Sequence, residues 1–492
     1  MEQNSVAEQR SNHRLRKTLI FSQREAVSSS VMTGLCDNFI HAFAIYLKAS
    51  LPQIAWLTAV PQFIGASSQL FALWMGSYIP RPQMIAGAAL LQALAVIGFG
   101  ALAFFVPPSP VNGLIVLATL YHTTGNVVQP HWRALMGCLV PERWRGRFFA
   151  ARTRNSMITA FLVFIAGGLF LNSVNAEESA RIGFTALFLI AAGGRLVSVF
   201  LLHRMHDPAP RIAASEERAY RRTFSAIGHA FLDPTFRNFT LFMAGLQGTV
   251  AIAAPFFSVY MLRDLQYNYI EFTANLAASI LAQFLTLSAW GRISDQFGNR
   301  IIMVVTSLMI PTLPLFWLLS DNFWYLLAVQ AFSGVAWGGF SLSSGNYLYD
   351  LRPHHSHLAT YSALQSTLIA AAVFGGALSG GYLADVLPNS FRLFGEEMSW
   401  SRNLFGVFAL SAAARLTVTL WFIPHMHELR LRRQTSIKSL VFRVARFTPI
   451  SGVVMDWVGI ARNLPKRKTR QKPAAVQLLH VSNPSDDEQP LC

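Results

Sequence analysis

Twelve apolar stretches, at residues 27–47, 54–78, 84–106, 114–136, 156–174, 182–202, 239–262, 272–290, 301–319, 323–344, 361–383 and 404–423, punctuate this chain. Each approaches the roughly 20 residues that an α-helix needs to cross the hydrocarbon of a bilayer. A backbone inside lipid must satisfy its own hydrogen bonds, which restricts such runs to helices. Hydrophobic side chains make up 53% of the 492 residues and charged ones 13%, too apolar a balance for ordinary soluble domains. The expected fold is all-α and integral to a membrane.

The chain also nearly repeats itself. AAGGRLVSVFLLHRMHD (191–207) and AAARLTVTLWFIPHMHE (412–428) each close a set of six runs. Duplication of this kind predicts two pseudo-symmetric six-helix halves, twelve transmembrane helices in all, with a solute site near the midplane between them. The organisation read from it is an N-terminal cytoplasmic segment (1–26), a first half (27–203), a linker (204–237), a second half (238–424) and a basic tail (425–492).

Net charge is +16, and its distribution decides what that means. With the N-terminus in the cytoplasm, 32 Lys and Arg fall on the cytoplasmic side and 5 (Lys48, Arg181, Arg263, Arg392, Arg402) on the other. The positive-inside rule therefore places both termini in the cytoplasm, and no nucleic-acid partner is expected. The first apolar run is too long for a signal-peptide core and has no cleavage site, so it should persist; a bacterial inner membrane is compatible. The linker carries Glu217 and Arg221 one turn apart and an apolar side of Ala219, Phe224, Ile227 and Phe231, as in a surface-lying helix. The tail (LRLRR, PKRKTRQK) suits anionic lipids. Cys36, Cys138 and Cys492 suggest neither disulfide nor metal site, and His354, His355 and His357 read as a solvated loop.

The segment GRISDQFGNRI (291–301) resembles the short loop signature of the major facilitator superfamily, and Gly291, Asp295, Gly298 and Arg300 carry the match. Glycines permit a tight turn there, and a carboxylate beside an arginine can latch one arrangement of the loops. The equivalent stretch of the first half, GSYIPRP (76–82), keeps Gly76 and Arg81 but has Pro80 in place of the Asp. Tyr121 stands four residues before Gly125, where many proton-coupled drug exporters carry Arg. The resemblance implies that spans 1, 4, 7 and 10 line a central cavity.

Ionisable groups in lipid are costly and normally face a cavity or a partner. Span 1 holds Asp37 and His41 one turn apart, in a stripe with Thr33 and Ala44; they fit a proton site or a structural pair. Span 4 places His122, Asn126, Gln129 and Arg133 on one face. Span 7 offers Gln247, with Thr240 and Ser258, and a hinge at Pro255. Span 10 offers Gln330 and Trp337 on a face with Ser333, Ser341 and Ser344. Span 8 carries a similar stripe (Asn275, Ser279, Gln283, Thr286), so a stripe alone does not mark the cavity. Arg195 and Arg415 occupy matching positions in spans 6 and 12, where they snorkel or pack; facing inward with Arg133, they would favour an anionic cargo.

The expectation is a secondary active transporter of a small organic solute, an organic anion if those arginines face inward. It is coupled to protons through Asp37 and His41, and its substrate contacts are His122, Asn126, Gln129, Arg133, Gln247, Gln330 and Trp337. No cofactor, metal or enzymatic constellation is read. The rivals are a passive facilitator and a non-transporting scaffold or sensor acting through the tail.

Overall fold

The computed structural model describes residues 2–75, 80–140, 142–174, 177–205, 232–351, 358–387, 390–393, 396–399 and 404–426. The linker helix, the basic tail and the RPHHSH histidines, all singled out by the sequence, lie outside the described residues.

Six helices make the first half: α1 (Glu2–Tyr46), α2 (Leu51–Met75), α3 (Arg81–Phe105), α4 (Pro110–Leu139), α5 (Glu142–Ser173) and α6 (Glu177–His203). The second half holds α7 (Pro234–Ala251), α8 (Ala254–Val259) with a π turn (Tyr260–Asp264), α9 (Tyr269–Phe297), α10 (Asn299–Met309), α11 (Thr312–Phe316), α12 (Phe323–Asp350), α13 (Leu358–Val386) and α14 (Phe405–Phe422). Nine helical stretches among the described residues are long and apolar enough to cross a membrane. A hairpin of two short strands, β1 (Ser390–Leu393) and β2 (Glu396–Ser399), joins α13 to α14 and is the one departure from an all-helical fold among the described residues.

Helix α1 starts far ahead of the apolar run at residue 27. Its last polar turn before that run packs on neighbours: Ser22 donates to the Met136 sulfur (3.4 Å), and the Gln23 amide donates to the Phe148 carbonyl (3.2 Å). Tertiary packing thus extends the helix into a segment that hydropathy reads as a tail.

Prolines explain why spans 7 and 9 come in pieces. An interior proline cannot donate to the carbonyl four residues back, and its ring crowds that carbonyl. For Pro255 the carbonyl belongs to Ala251, the last residue of α7; for Pro314 it belongs to Ile310, just past the end of α10.

The halves share one plan. Helix α1 packs on α5 and α6 as α7 packs on α13 and α14, and α2 on α4 as α9 on α12. Gly34 brings α1 against the Ala160 carbonyl of α5, and Gly248 brings α7 against the Ala372 carbonyl of α13, the same contact made twice. Between halves, α2 lies on α13 and α5 on α9.

At the end opposite the described chain ends, one apolar cluster crosses both halves, with Phe43, Phe99 and Phe184 packed with Phe256, Tyr260 and Phe405. At the other end each cluster stays within a half: Ala72, Met84 and Leu135 in the first, Phe242, Met303 and Tyr347 in the second. Among the described residues, the apolar cluster that joins the halves thus lies at the end away from the termini.

Candidate functional site

Asp37 and Gln129 are exposed although both sit within spans. Polar groups at that depth normally face a cavity or a partner. The Tyr121 hydroxyl of α4 donates to the Asp37 carboxylate of α1 across 2.8 Å. The Tyr121 ring meets the His122 ring edge to face at 5.1 Å, and His41 and His122 lie within electrostatic reach of each other. The His41 Nδ1 atom is buried without a hydrogen-bond partner. Ala44, the end of the span 1 stripe, is fully covered.

The polar track of α4 divides. Asn126 donates to the His122 carbonyl (2.9 Å) and accepts from the Gln69 amide of α2 (2.6 Å), while Gly65 of α2 lies against the His122 backbone. Asn126 therefore ties α2 to α4. Buried His131 does the same one turn on, with Nε2 2.9 Å from the Ala72 carbonyl. Gln129 stays exposed on the other side. The side chain of Arg133 lies outside the described residues.

In the second half Gln247, Gln330 and Trp337 are partly exposed, and Trp337 rests edge to face on Phe340 at 5.8 Å. Next to Gln330 and Trp337, Gly334 and Gly338 seat α12 on Ser279 and Gln283 of α9, so the span 8 stripe faces a helix there. Of the paired glycines in α13, Gly376 and Gly380 meet the Gly248 and Ile252 carbonyls, Gly381 meets Ala55 of α2, and Gly375 meets nothing. Small residues bring these backbones together.

Arg195 and Arg415 are buried, at 5% and 2% exposure. Arg195 Nη1 lies 3.7 Å from Glu25 of α1 and donates to Ser198 (3.0 Å), which itself donates to Glu25 (3.0 Å). Arg152 of α5 reaches the same carboxylate at 2.6 Å and covers the Trp132 ring at 4.0 Å. Sequence reasoning missed Glu25. The signal was a lone arginine in an apolar helix, which demands a counter-ion, and Glu25 is the single carboxylate between Glu8 and Asp37. Tyr121 was noted only for what it replaces, though a phenol on an inward helix is a natural partner for a buried carboxylate.

The loop signature is partly rearranged. Gly298 adopts φ 89° and ψ 171° and makes the turn. Gly291 lies inside α9 with a helical backbone, so the turn does not need it. Asp295 is at the exposed C-terminal end of α9, and Arg300 donates to the Met426 carbonyl beyond α14. Asn299 links Ser294 to Asp350 of α12, donating to Asp350 at 2.6 Å.

At the end away from the termini a cavity of about 290 Å³ lies between α1 and the loop before α9, lined by Ala42, Tyr46, Leu262, Tyr267 and Tyr269 among others. Burial pushes the Tyr267 phenol up to about 12, with the Glu271 and Asp321 carboxylates adding to it. No group of three or more His, Cys, Asp or Glu positioned for a metal occurs among the described residues.

The sequence model of the Major Facilitator Superfamily matches residues 247–466. The plant Protein ZINC INDUCED FACILITATOR 1 of Arabidopsis thaliana is 25% identical over 240 residues, 46% of this chain and 46% of that protein. Multidrug resistance protein MdtG of Salmonella choleraesuis is 26% identical over 156 residues, 30% of this chain and 38% of that one. The matched stretch thus spans less than half of these curated relatives. The crystal structure of nucleoside transporter NupG superimposes with TM-score 0.59 at 12% identity, covering 83% of this chain and 98% of that one. The D-xylose-proton symporter gives 0.61 at 10% identity, covering 85% and 98%.

Proposed function

We propose that this chain, whose residues 247–466 match the Major Facilitator Superfamily model, is a secondary active transporter of that family, moving a small organic solute by alternating access, with Asp37 as its proton-coupling carboxylate. The observation that carries the reading is the Tyr121 to Asp37 hydrogen bond between α1 and α4. A carboxylate exposed within a span is costly to keep unless it is used. A phenol donates to the ionised form and accepts from the protonated one, so the pair survives both states by turning one hydroxyl. His41, one turn away with a free ring nitrogen, is the second proton acceptor.

Residues 27–203 and 238–424 are the moving halves, and His122, Gln129, Arg133, Gln247, Gln330 and Trp337 face the solute, with Asn126 setting the position of α4. Asp295 and Arg300 latch the loop after α9. The charge asymmetry supports cytoplasmic termini, a bacterial inner membrane suits it, and the basic tail meets anionic lipids. A nucleoside, a xylose with its proton and multiple drugs appear in the names of similar proteins, which supports a small organic solute and selects no single one.

The test is ligand-induced thermal stabilisation of the purified wild type and Asp37→Asn, against a library of organic anions, cations and neutral metabolites at two pH values. Stabilisation by one chemical class, pH-dependent in the wild type and pH-independent in the variant, is expected. An unchanged pH dependence in Asp37→Asn would remove the proton role and leave a passive facilitator.

A further inference from the structure

The repeat puts an arginine at the same place in α6 and α14, but the two are held differently. Arg195 has the Glu25 carboxylate. Arg415 has no carboxylate within ion-pair distance among the described residues, and its partners are neutral oxygens. Nε donates to Ser411 Oγ (3.1 Å), Nη1 to the Ile310 carbonyl (3.4 Å) and Nη2 to the Val250 carbonyl (3.3 Å). A buried cation without a counter-ion is expensive, so these oxygens must compensate strongly.

Both carbonyls stand at proline breaks. Ile310 is the residue that Pro314 cannot serve, and its carbonyl keeps one bond from Leu313 at 3.3 Å. Val250 adjoins Ala251, the residue that Pro255 cannot serve. In an unbroken helix the Ala253 amide would bond Thr249; here it bonds Val250 at 3.2 Å, and the Ser411 hydroxyl donates to Thr249 at 2.8 Å in its place. Helix C-termini carry partial negative charge. The guanidinium lies between two of them, the ends of α7 and α10, which together take the part that Glu25 takes for Arg195.

Beyond the break, α8 and the π turn cross to α1 and α2 and form part of the cluster that joins the halves. The clamp sits at the base of that lever.

We propose that Arg415, with Ser411, is a positioning residue of the transport cycle: it donates to Ile310, whose helical donor Pro314 withholds, and to Val250 beside the break that Pro255 makes, and so fixes the angle at which α8 leaves α7. This inference goes beyond the proton-coupling reading and does not depend on it, because its test reads helix geometry and stability with no solute present.

The test is a mutant cycle in the full-length protein. Arg415→Met is made in the wild type and in Pro255→Ala/Pro314→Ala, where the new amides can serve the Ala251 and Ile310 carbonyls and close both helix breaks, and Tm is measured for all four proteins. The expected result is that the loss in Tm on Arg415→Met falls by half or more in the proline-free background. In parallel, spin labels at Arg237→Cys and Gln266→Cys, with Cys36, Cys138 and Cys492 replaced by Ala, report the distance across span 7. Arg415→Met should broaden that distribution, and proline removal should narrow it again. Equal Tm losses in both backgrounds, or an unaltered distribution in Arg415→Met, would overturn the proposal. If Arg415→Met does not accumulate, Arg415→Lys enters the same cycle, since one ammonium cannot reach both breaks.

Discussion

Glu25 of α1 and Arg195 of α6, 170 residues apart in sequence, face each other at 3.7 Å inside the first half, and Arg152 of α5 closes on the same carboxylate. One buried anion thus neutralises two cations and binds three helices. Removing it strands both charges, and breaking such a pair typically costs about 3–5 kcal/mol. Glu25→Gln is expected to lose stability on that scale, read as a fall in Tm. An Arg152→Gln variant, whose side chain is at the edge of the network, should lose less. Equal losses would mean that the network does not centre on Glu25.

Asp37 is exposed, so water can replace a lost partner. Tyr121→Phe is therefore expected to cost only about 1 kcal/mol of stability, well below Glu25→Gln. Its larger effect should be on the pH dependence of ligand-induced stabilisation, which the hydroxyl helps set. A variant with wild-type pH dependence would separate Tyr121 from the proton step.

Gly376 and Gly375 are adjacent in α13 with opposite surroundings: a Cβ at Gly376 collides with the Gly248 carbonyl of α7, whereas one at Gly375 meets nothing. Gly376→Ala should destabilise by about 1–3 kcal/mol through forced separation of the helices. Gly375→Ala, inside a helix with open space, should instead raise stability by up to about 1 kcal/mol. Thermal unfolding of the two single variants decides it.

The two glycines of the loop signature should also respond with opposite signs. Gly298 holds φ 89°, a conformation that costs a side-chain-bearing residue about 1–3 kcal/mol, so Gly298→Ala should lower Tm. Gly291 lies inside α9 with open space at its Cβ position, and alanine there should raise helix stability by up to about 1 kcal/mol. A fall in Tm for Gly291→Ala would show that it makes a close contact in another arrangement of the halves.

Spans, duplication and the proline hinge could be read from the chain because each depends on local properties. Twenty apolar residues need lipid whatever surrounds them, and Pro255 lacks a donor in any context. The same reading began span 1 at residue 27, because the turns before it are polar, and it could not show that Ser22, Gln23 and Glu25 bond to α4, α5 and α6. It placed Asn126 on the face of His122 and Gln129, but could not show that Gln69 and the His122 carbonyl engage its side chain. It gave Gly291 and Gly298 one role because a motif records residue types and not backbone angles.

By itself, the sequence determined that this protein is a duplicated helical membrane bundle with a few polar groups in mid-span, since hydrophobic length, periodicity and repetition are properties of the chain. Only the tertiary structure decided which of those groups are partners. It joined Asp37 to Tyr121 and Glu25 to Arg195, and set Arg415 between two helix ends. Such pairings depend on how far each helix is rotated and how closely its neighbours approach, and those quantities are fixed by packing between segments distant in the chain.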